Sequence, residues 1–292
     1  MDVIRFRGGL GNQMFQFAFH QALKYRGRDV RASLGFYRNH PEKMQFCLTE
    51  VFPAIILQQI SDEEFGLIDI EWRKIRSDKE RLSKFLIDYE NRFFWVEENM
   101  DYHPHVFDTK SCTYVGYWHS EKYFNDIRSN LLKDFTFAYG EHKLEDLRKK
   151  ILNEGQYVSV HIRRGDYLNE INIRGNLGRS RYYQNAIEYI KNKCPESRLI
   201  FFSDDMNWVK ENYKYEDAIY IEGDMFESYA SWYDMCLMSC CSHNIIANSS
   251  FSWWGAWLNQ NKSKIVIAPE TWVFDGSSQK DVYPTEWIKL EI

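Results

Sequence analysis

The stretch YVSVHIRRGDY, residues 157–167, decides the fold, because it joins a short apolar run to a polar turn. Residues 157–162 are rich in β-branched and aromatic side chains, which is typical of a strand in a buried sheet. Two arginines, a glycine and an aspartate follow directly. This order fits either a salt-bridged turn or an anion-binding site at the edge of an α/β sheet.

Beyond residue 156, short apolar segments alternate regularly with helical ones. The predicted strands after YVSVHI are RLIFFS, AIYIEG, HNIIAN and KIVIAP, and the predicted helices between them are RYYQNAIEYIKNK, MNWVKENY, SYASWYDMCLMSCCS and WWGAWLNQ. Such alternation predicts a doubly wound parallel sheet. Ligands of these sheets bind beyond the carboxyl ends of the strands.

The first forty residues predict a second α/β unit. Strand VIRF, glycine turn RGGLGNQ, helix MFQFAFHQALKYRG and strand DVRASL form a βαβ pattern. Residues 40–150 contain aromatic-rich stretches of helical character, among them ERLSKFLIDYENRFFWV and SEKYFNDIRSNLLKDF. We therefore expect two α/β domains, residues 1–150 and 151–292.

Composition narrows the class of protein. The 292 residues carry a formal net charge of −5, which disfavours a nucleic-acid binder that relies on a basic face. Aromatic residues make up 17% of the chain, and they suit either sugar stacking or core packing. The six cysteines include no C-x-x-C pair, so reduced thiols are expected and no metal site is predicted. Neither a signal peptide nor an 18-residue apolar run is present, which predicts a cytoplasmic protein with at most peripheral membrane contact.

Polar side chains follow three predicted strands of the second half and should share one edge of the sheet. A pair of arginines offers planar forks that suit a diphosphate, with Asp166 expected to orient one of them. A serine-rich helix start is either a phosphate seat or an ordinary N-cap. An aspartate after RLIFFS either caps a helix or contacts a nucleobase or ribose, and the histidine of VSVHI is either a core residue or a ligand contact. The candidates are Arg163, Arg164, Asp166, His161, Asp204, Asn248, Ser249, Ser250 and Phe251.

The glycine turn RGGLGNQM only partly resembles a dinucleotide fingerprint. Gly9 and Gly11 form G-x-G, but Met14 occupies the third glycine position. Asn12 and Gln13 could instead bring amides close to a ligand. A G-x-x-x-x-G-K-[ST] motif, a G-x-S-x-G motif and an H-E-x-x-H motif are all missing from the sequence.

Taken together, GGLGNQMFQFAF, GYWHSEKYF, VSVHIRRGDYL, FFSDDMNW and HNIIANSSFSWWGAWLN resemble the bacterial α-1,2-fucosyltransferases of glycosyltransferase family 11. The resemblance implies a GT-B-type fold, with two Rossmann-like domains facing across a cleft and GDP-fucose held mainly by the C-terminal half. It also implies inverting transfer of L-fucose to the 2-hydroxyl of a galactose in a glycan, with neither a metal nor another cofactor.

The resemblance also implies roles for individual residues. Arg163 would contact the diphosphate with support from Arg164, while His161 and Asp204 would lie near the guanosine. Ser249, Ser250 and Phe251 would surround the phosphates and the base, and Asn12 would lie near the transferred sugar. His119 departs from the glutamine expected in this motif. We predict Arg163, Arg164, Asp166 and Asn12 as catalytic residues; the predicted donor-binding residues are Gly9, Gly11, Gln13, His161, Asp204, Asn248, Ser249, Ser250 and Phe251.

Three alternatives remain open at this point. Another nucleotide-sugar transferase could share the scaffold but use a different sugar or linkage. A non-catalytic carbohydrate-binding protein would also use the aromatic residues, although it would not need paired arginines beside a serine-rich helix start. A nicotinamide dehydrogenase is disfavoured because the fingerprint is incomplete.

Overall fold

The computed structural model describes residues 1–42, 44–61 and 94–292. The described chain divides into two compact units. The N-terminal unit comprises Met1–Ala138 together with Lys280–Val282, and the C-terminal unit comprises Tyr139–Gln279 together with Tyr283–Ile292. No described helix combines the length and the apolar character needed to cross a bilayer.

The N-terminal unit is built on a parallel sheet in the order β2-β1-β4-β3. Its strands are β1 (Asp2–Arg5), β2 (Val30–Ser33), β3 (Phe94–Val96) and β4 (Thr113–Val115). Its helices are α1 (Leu10–Tyr25), α2 (Gly35–Asn39), α3 (Leu48–Val51) and α4 (Arg128–Asp134), with 3-10 turns at Pro104–Asp108, Glu121–Tyr123 and Asn125–Ile127. The predicted βαβ opening is thus present, with α1 connecting β1 to β2.

The C-terminal unit is built on a six-stranded parallel sheet in the order β10-β9-β8-β5-β6-β7. Its strands are β5 (Tyr157–Ile162), β6 (Arg198–Ser203), β7 (Ile219–Tyr220), β8 (His243–Ile245), β9 (Val266–Pro269) and β10 (Ile288–Leu290). Its helices are α5 (His142–Glu154), α6 (Ile171–Arg174), α7 (Tyr182–Lys193), α8 (Met206–Asn212), α9 (Trp232–Cys240) and α10 (Ser250–Leu258). The chain winds from β5 in both directions, so the predicted doubly wound parallel sheet and the α/β class are confirmed.

The strand predicted from residues 157–162 occupies the centre of this sheet. All six residues of β5 are buried, and β5 pairs with β6 on one side and β8 on the other. Val158, Val160 and Ile162 belong to a core that also contains Tyr182 and Ile187 of α7. Both faces of β5 are covered, which explains why residues 157–162 form a nearly continuous apolar run.

Several element boundaries differ from the sequence-based expectation. The predicted domain boundary at residues 150 and 151 falls inside α5, which packs against α9 of the C-terminal unit, so the compact units change at Ala138 and Tyr139. The last three residues of the stretch predicted to be helical over 80–96 form β3, and residues 80–93 lie outside the described part of the chain. The helix predicted from WWGAWLNQ begins earlier, at Ser250.

Candidate active site

The candidate residues of the C-terminal unit converge at the point where the sheet reverses its winding. Ile162 of β5 is paired with Ser203 of β6, and Val160 is paired with Ile245 of β8. Arg163 and Asp204 therefore follow neighbouring strand ends directly, and the chain after β8 leaves the sheet at the same edge. A switch point between β5 and β8 is where open α/β sheets bind ligands.

Arg163 lies in a network of carboxylates at this edge. Its Nη2 is 2.8 Å from Oδ1 of Asp166, and its Nη1 is 3.0 Å from Oδ2 of Asp204. The side chain remains 34% exposed, and the Asp166 side chain is 60% exposed. Because the Asp166 contact is open to solvent, it contributes little free energy, and another anion can replace Asp166 at the guanidinium.

Arg164 is held more tightly than Arg163. Its Nε donates to Oδ2 of Asp205 at 2.9 Å, and its guanidinium carbon lies 3.7 Å from the ring centre of Trp208. The residue is 7% exposed, and within the described chain Nη1 has no hydrogen-bond partner. A buried guanidinium with one unused donor nitrogen is well placed to bind an anion.

Asp204 connects the two arginines, and Asp205 connects Arg164 to a helix. Asp204 accepts the backbone N–H of Arg164 through Oδ1 at 2.9 Å while Oδ2 contacts Arg163. A Cβ at Gly165 would lie only 2.6 Å from that Oδ2, so a glycine is needed for the carboxylate to approach. Asp205 is the N-cap of α8 and accepts the N–H of Trp208, so the capping aspartate is Asp205 and not Asp204.

The serine-rich segment after β8 forms the start of α10. Ser249 is the N-cap residue, yet among the described residues its hydroxyl makes no capping hydrogen bond. The side-chain amide of Asn248 donates to the carbonyls of Arg174 and Trp272, so Asn248 shapes the loop. The backbone carbonyl of Asn248 accepts the Tyr167 hydroxyl at 3.0 Å. The Ser249 side chain is hydrogen-bonded to Tyr167, so the Ser250 hydroxyl and the helix N-terminus are the groups available to an anion.

The ring of His161 in β5 packs against the ring of Phe251 in the first turn of α10. Their ring centroids are 5.8 Å apart, and His161 is 4% exposed. Burial, and secondarily the charge of Arg163, lowers the His161 pKa to about 3. The imidazole is therefore neutral at physiological pH, and its Nδ1 lacks a hydrogen-bond partner within the described residues.

A small pocket opens between these groups. It is lined by Arg163, Arg164, Tyr167, Leu168, Gly175, Asn176, Leu177 and Asn248. The pocket thus brings both arginines and the loop before α10 to a single surface. Three carboxylates pair with the two arginines, so a phosphate that binds the Arg163 guanidinium would replace part of its carboxylate network.

The four candidates of the N-terminal unit have different surroundings. Gly9 is the N-cap of α1, and Gly11 is buried in its first turn. Gln13 is fully buried, with Nε2 donating to two carbonyls and Oε1 accepting the N–H groups of Cys47 and Leu48. Its amide holds the loop at residues 45–48 and is occupied by these contacts. Asn12 is placed differently, with Oδ1 3.0 Å from Nε2 of His119.

The sequence analysis did not single out Glu97 or Asp234, two carboxyl groups whose pKa values are raised by burial. Glu97 follows β3 and accepts the N–H groups of Tyr117 and Trp118, and burial raises its pKa to about 7. Assigning residues 94–96 to a helix concealed its position at a strand end. Asp234 is an acidic residue within the apolar helix WYDMCLM, and that interruption was the available signal.

Comparisons with known proteins agree with the motifs. The family model described as glycosyl transferase family 11 matches residues 2–291. An α-1,2-colitosyltransferase of Escherichia coli is 31% identical, covering 99% of this chain and 98% of its own length. A galactoside 2-α-L-fucosyltransferase of Bos taurus is 25% identical, covering 87% of this chain and 63% of its own. The crystal structure of NodZ α-1,6-fucosyltransferase soaked with GDP-fucose aligns with a TM-score of 0.46 at 15% identity, covering 88% of this chain and 92% of that one.

Proposed function

The chain belongs to glycosyltransferase family 11, and we propose that it transfers L-fucose from GDP-fucose to the 2-hydroxyl of a terminal galactose. The proposal includes inversion at the anomeric carbon and arginines in place of a metal ion. The observation that carries it is the strand-end pair Arg163 and Arg164, which lies beside the start of α10 at the sheet's switch point.

Transfer breaks the bond between the anomeric carbon and the β-phosphate oxygen. Negative charge grows on the departing GDP as this bond lengthens, and cations fixed beforehand at that position lower the barrier. The unused Nη1 of Arg164 and the exchangeable Asp166 contact of Arg163 supply such positions. The acceptor hydroxyl attacks the anomeric carbon from the opposite face, which inverts its configuration, and the products are GDP, the fucosylated glycan and the proton released from that hydroxyl.

The other candidates support this arrangement to different extents. Asp166 contacts Arg163 through Nε as well as Nη2, which suits the orienting role better than that of a base. Ser250 and the helix N-terminus would hold phosphate oxygens, and Ser249 is bonded to Tyr167 beside them. The assignment of Asn12 to the transferred sugar, and so to the catalytic set, rests on the family resemblance.

Transfer of colitose is the second candidate. It is favoured by a relative named α-1,2-colitosyltransferase, whose 31% identity extends over 99% of this chain. Both candidates are glycosyl transfers with an α-1,2 linkage, and they differ in the sugar of the donor. A direct comparison of the two nucleotide sugars therefore separates them.

Donor binding is tested by melting the protein with GDP in excess EDTA. Saturating GDP should raise Tm, because a ligand that binds only the folded state stabilises it. UDP and CMP are the controls and should give smaller shifts. A protein whose Tm does not change with GDP would contradict the proposed donor, and a shift that requires added divalent metal would contradict the role assigned to the arginines.

Activity is tested with GDP-fucose and GDP-colitose against galactose-terminated glycans and a matched glycan that lacks galactose. The product linkage is read by NMR. We expect fucose joined in the α-1,2 linkage to the terminal galactose. Faster transfer of colitose would select the second candidate, while a different linkage or hydrolysis alone would overturn the proposed reaction.

A further inference from the structure

Tyr167 lines the pocket at the arginines, yet the proposed mechanism gives it no role. It lies in a segment of short turns that follows Arg163 and Arg164 directly. Residues 165–173 are all described, and Tyr167 is the one member of this segment that is not exposed. It is therefore the side chain through which the segment packs most closely on the rest of the C-terminal unit.

The Tyr167 hydroxyl connects this segment to the start of α10. It donates to the backbone carbonyl of Asn248 at 3.0 Å, and the side chain of the N-cap residue Ser249 is hydrogen-bonded to it as well. Burial raises the pKa of Tyr167, so the hydroxyl keeps its proton. A hydroxyl has one proton to donate, and a carbonyl can only accept. The Ser249 hydroxyl therefore donates to the phenol oxygen, which fixes the orientation of the serine.

The Tyr167 ring is within reach of two guanidinium groups. Its centre lies 5.7 Å from the guanidinium carbon of Arg163 and 5.2 Å from that of Arg174. Both distances are in the range at which a cation is attracted to a ring face. The side-chain amide of Asn248 in turn donates to the carbonyl of Arg174 at 2.8 Å. One aromatic side chain thus contacts both the arginine turn and the loop before α10.

We propose that Tyr167 is a positioning residue, which holds Arg163 and the start of α10 at a fixed spacing around the leaving phosphate. The Asp166 contact of Arg163 is exposed and exchangeable, so it does not maintain that spacing once an anion binds. The contacts of the phenol are made to protein groups and persist when the phosphate is present. The inference rests on the proposed function, since the spacing matters for the charge that develops on GDP.

The test is Tyr167→Phe, which removes the hydroxyl and keeps the ring. With the GDP-sugar that the wild type transfers faster, kcat should fall about ten- to hundredfold, because a small displacement of a catalytic group has effects of this size. KM for that donor should change less than about threefold, because the lost contact acts on a charge present only in the transition state. Tyr157→Phe is the matched control and should keep the wild-type kcat, since its hydroxyl donates to Glu154 at the opposite end of β5.

The bond between Tyr167 and Ser249 supplies an independent measurement. Ser249→Ala removes the other partner, so the Tyr167→Phe/Ser249→Ala double variant should lose no more than about twofold in kcat beyond the weaker of the two single variants. Residues that act separately would give the product of the two single losses. Such a product would overturn the proposed action of Tyr167 through Ser249.

The outcomes separate this inference from the proposed function. A wild-type protein that transfers neither fucose nor colitose from a GDP-sugar overturns the proposed function, and this inference with it. Transfer by the wild type together with an undiminished kcat in Tyr167→Phe overturns the Tyr167 assignment alone, and so does a loss confined to Tm. If Tyr167→Phe has no cooperative melt, Ser249→Ala decides instead: a lower kcat at unchanged KM supports the assignment, and a wild-type kcat rejects it.

Discussion

The two adjacent arginines at the end of β5 have different structural roles. Arg163 is one-third exposed and bound to carboxylates, whereas Arg164 is buried against Trp208 and held by Asp205. Exposed side chains can change partners when a ligand arrives, but a buried cation is fixed by its packing. We therefore propose that Arg163 binds the leaving phosphate and that Arg164 forms the rigid part of the same surface.

Arg163→Ala is predicted to abolish transfer while the protein remains folded. Loss of a donor to a developing charge costs about 100- to 1,000-fold in kcat, and removal of a partly exposed side chain has little effect on unfolding. Initial rates with GDP-fucose and a thermal melt measure the two effects. Arg163→Lys is the matched control and should recover part of the rate, because it keeps the charge without the planar fork. A rate within threefold of the wild type in Arg163→Ala would contradict the assignment.

Two short helices, α8 and α10, position side chains of the candidate site. Helix α8 has only seven residues, yet its N-cap Asp205 also pairs with the buried guanidinium of Arg164. Helix α10 begins at the serine-rich segment and packs on α9 at Gly255. A single substitution at either place therefore affects both an element and the site that it supports.

Asp205→Ala is predicted to destabilise the protein by more than a missing cap alone. Loss of an aspartate N-cap costs about 1 kcal/mol, and the substitution also leaves the buried Arg164 with less compensation. Urea unfolding, followed by circular dichroism, should show the lower free energy of unfolding. Asp217→Ala, at an exposed position after α8, is the control and should change it little. Equal effects of the two substitutions would show that Asp205 does not hold Arg164.

Gly255→Ala is predicted to separate α9 from α10. The new methyl would lie 2.9 Å from Cβ of Met238, and overpacking of this kind costs about 1–3 kcal/mol. We expect lower Tm together with weaker GDP binding, since Phe251, which contacts His161, lies one turn from Gly255 in α10. Gly223→Ala is the control, because its nearest neighbour would be at an ordinary 3.6 Å. An unchanged Tm in Gly255→Ala would mean that the two helices can adjust without cost.

At the scale of the whole molecule, each unit contains a buried neutral histidine. Burial lowers the pKa of His20 in the N-terminal unit to about 4 and that of His161 in the C-terminal unit to about 3. The unfolded chain takes up these protons below its ordinary histidine pKa of about 6.5, whereas the folded chain does not. Both units should therefore lose stability as the pH falls from about 6.5 towards 4.

We expect the decrease in Tm between pH 7 and pH 4.5 to be smaller in His20→Asn and in His161→Asn than in the wild type. Each histidine contributes up to about 1.4 kcal/mol for every pKa unit by which folding lowers its pKa. Calorimetric melts across this range measure the slope. His105→Asn, whose side chain is 65% exposed, is the control and should keep the wild-type slope. Slopes equal to that of the wild type in both buried variants would show that neither histidine contributes to the loss of stability at low pH.

The sequence by itself determined three things: the central strand, the position of the two arginines at the end of that strand, and the family. An apolar, β-branched run such as residues 157–162 is typical of a strand in a covered sheet, and arginines that directly follow such a strand lie at the sheet's edge. The family was recognisable because several motifs occur in order along the chain, and the match over residues 2–291 confirms it. These inferences depend on local pattern and on order, which a sequence contains directly.

Only the tertiary structure decided which side chains share surroundings. Gln13 and Asn12 are neighbours in sequence, but packing encloses the Gln13 amide while Asn12 meets His119. Asp204 and Asp205 are adjacent, yet one connects the two arginines and the other caps a helix. Helices α9 and α10 pack closely at Met238 because residue 255 is a glycine. Burial and partners depend on contacts between residues far apart in the chain, so local sequence patterns cannot specify them.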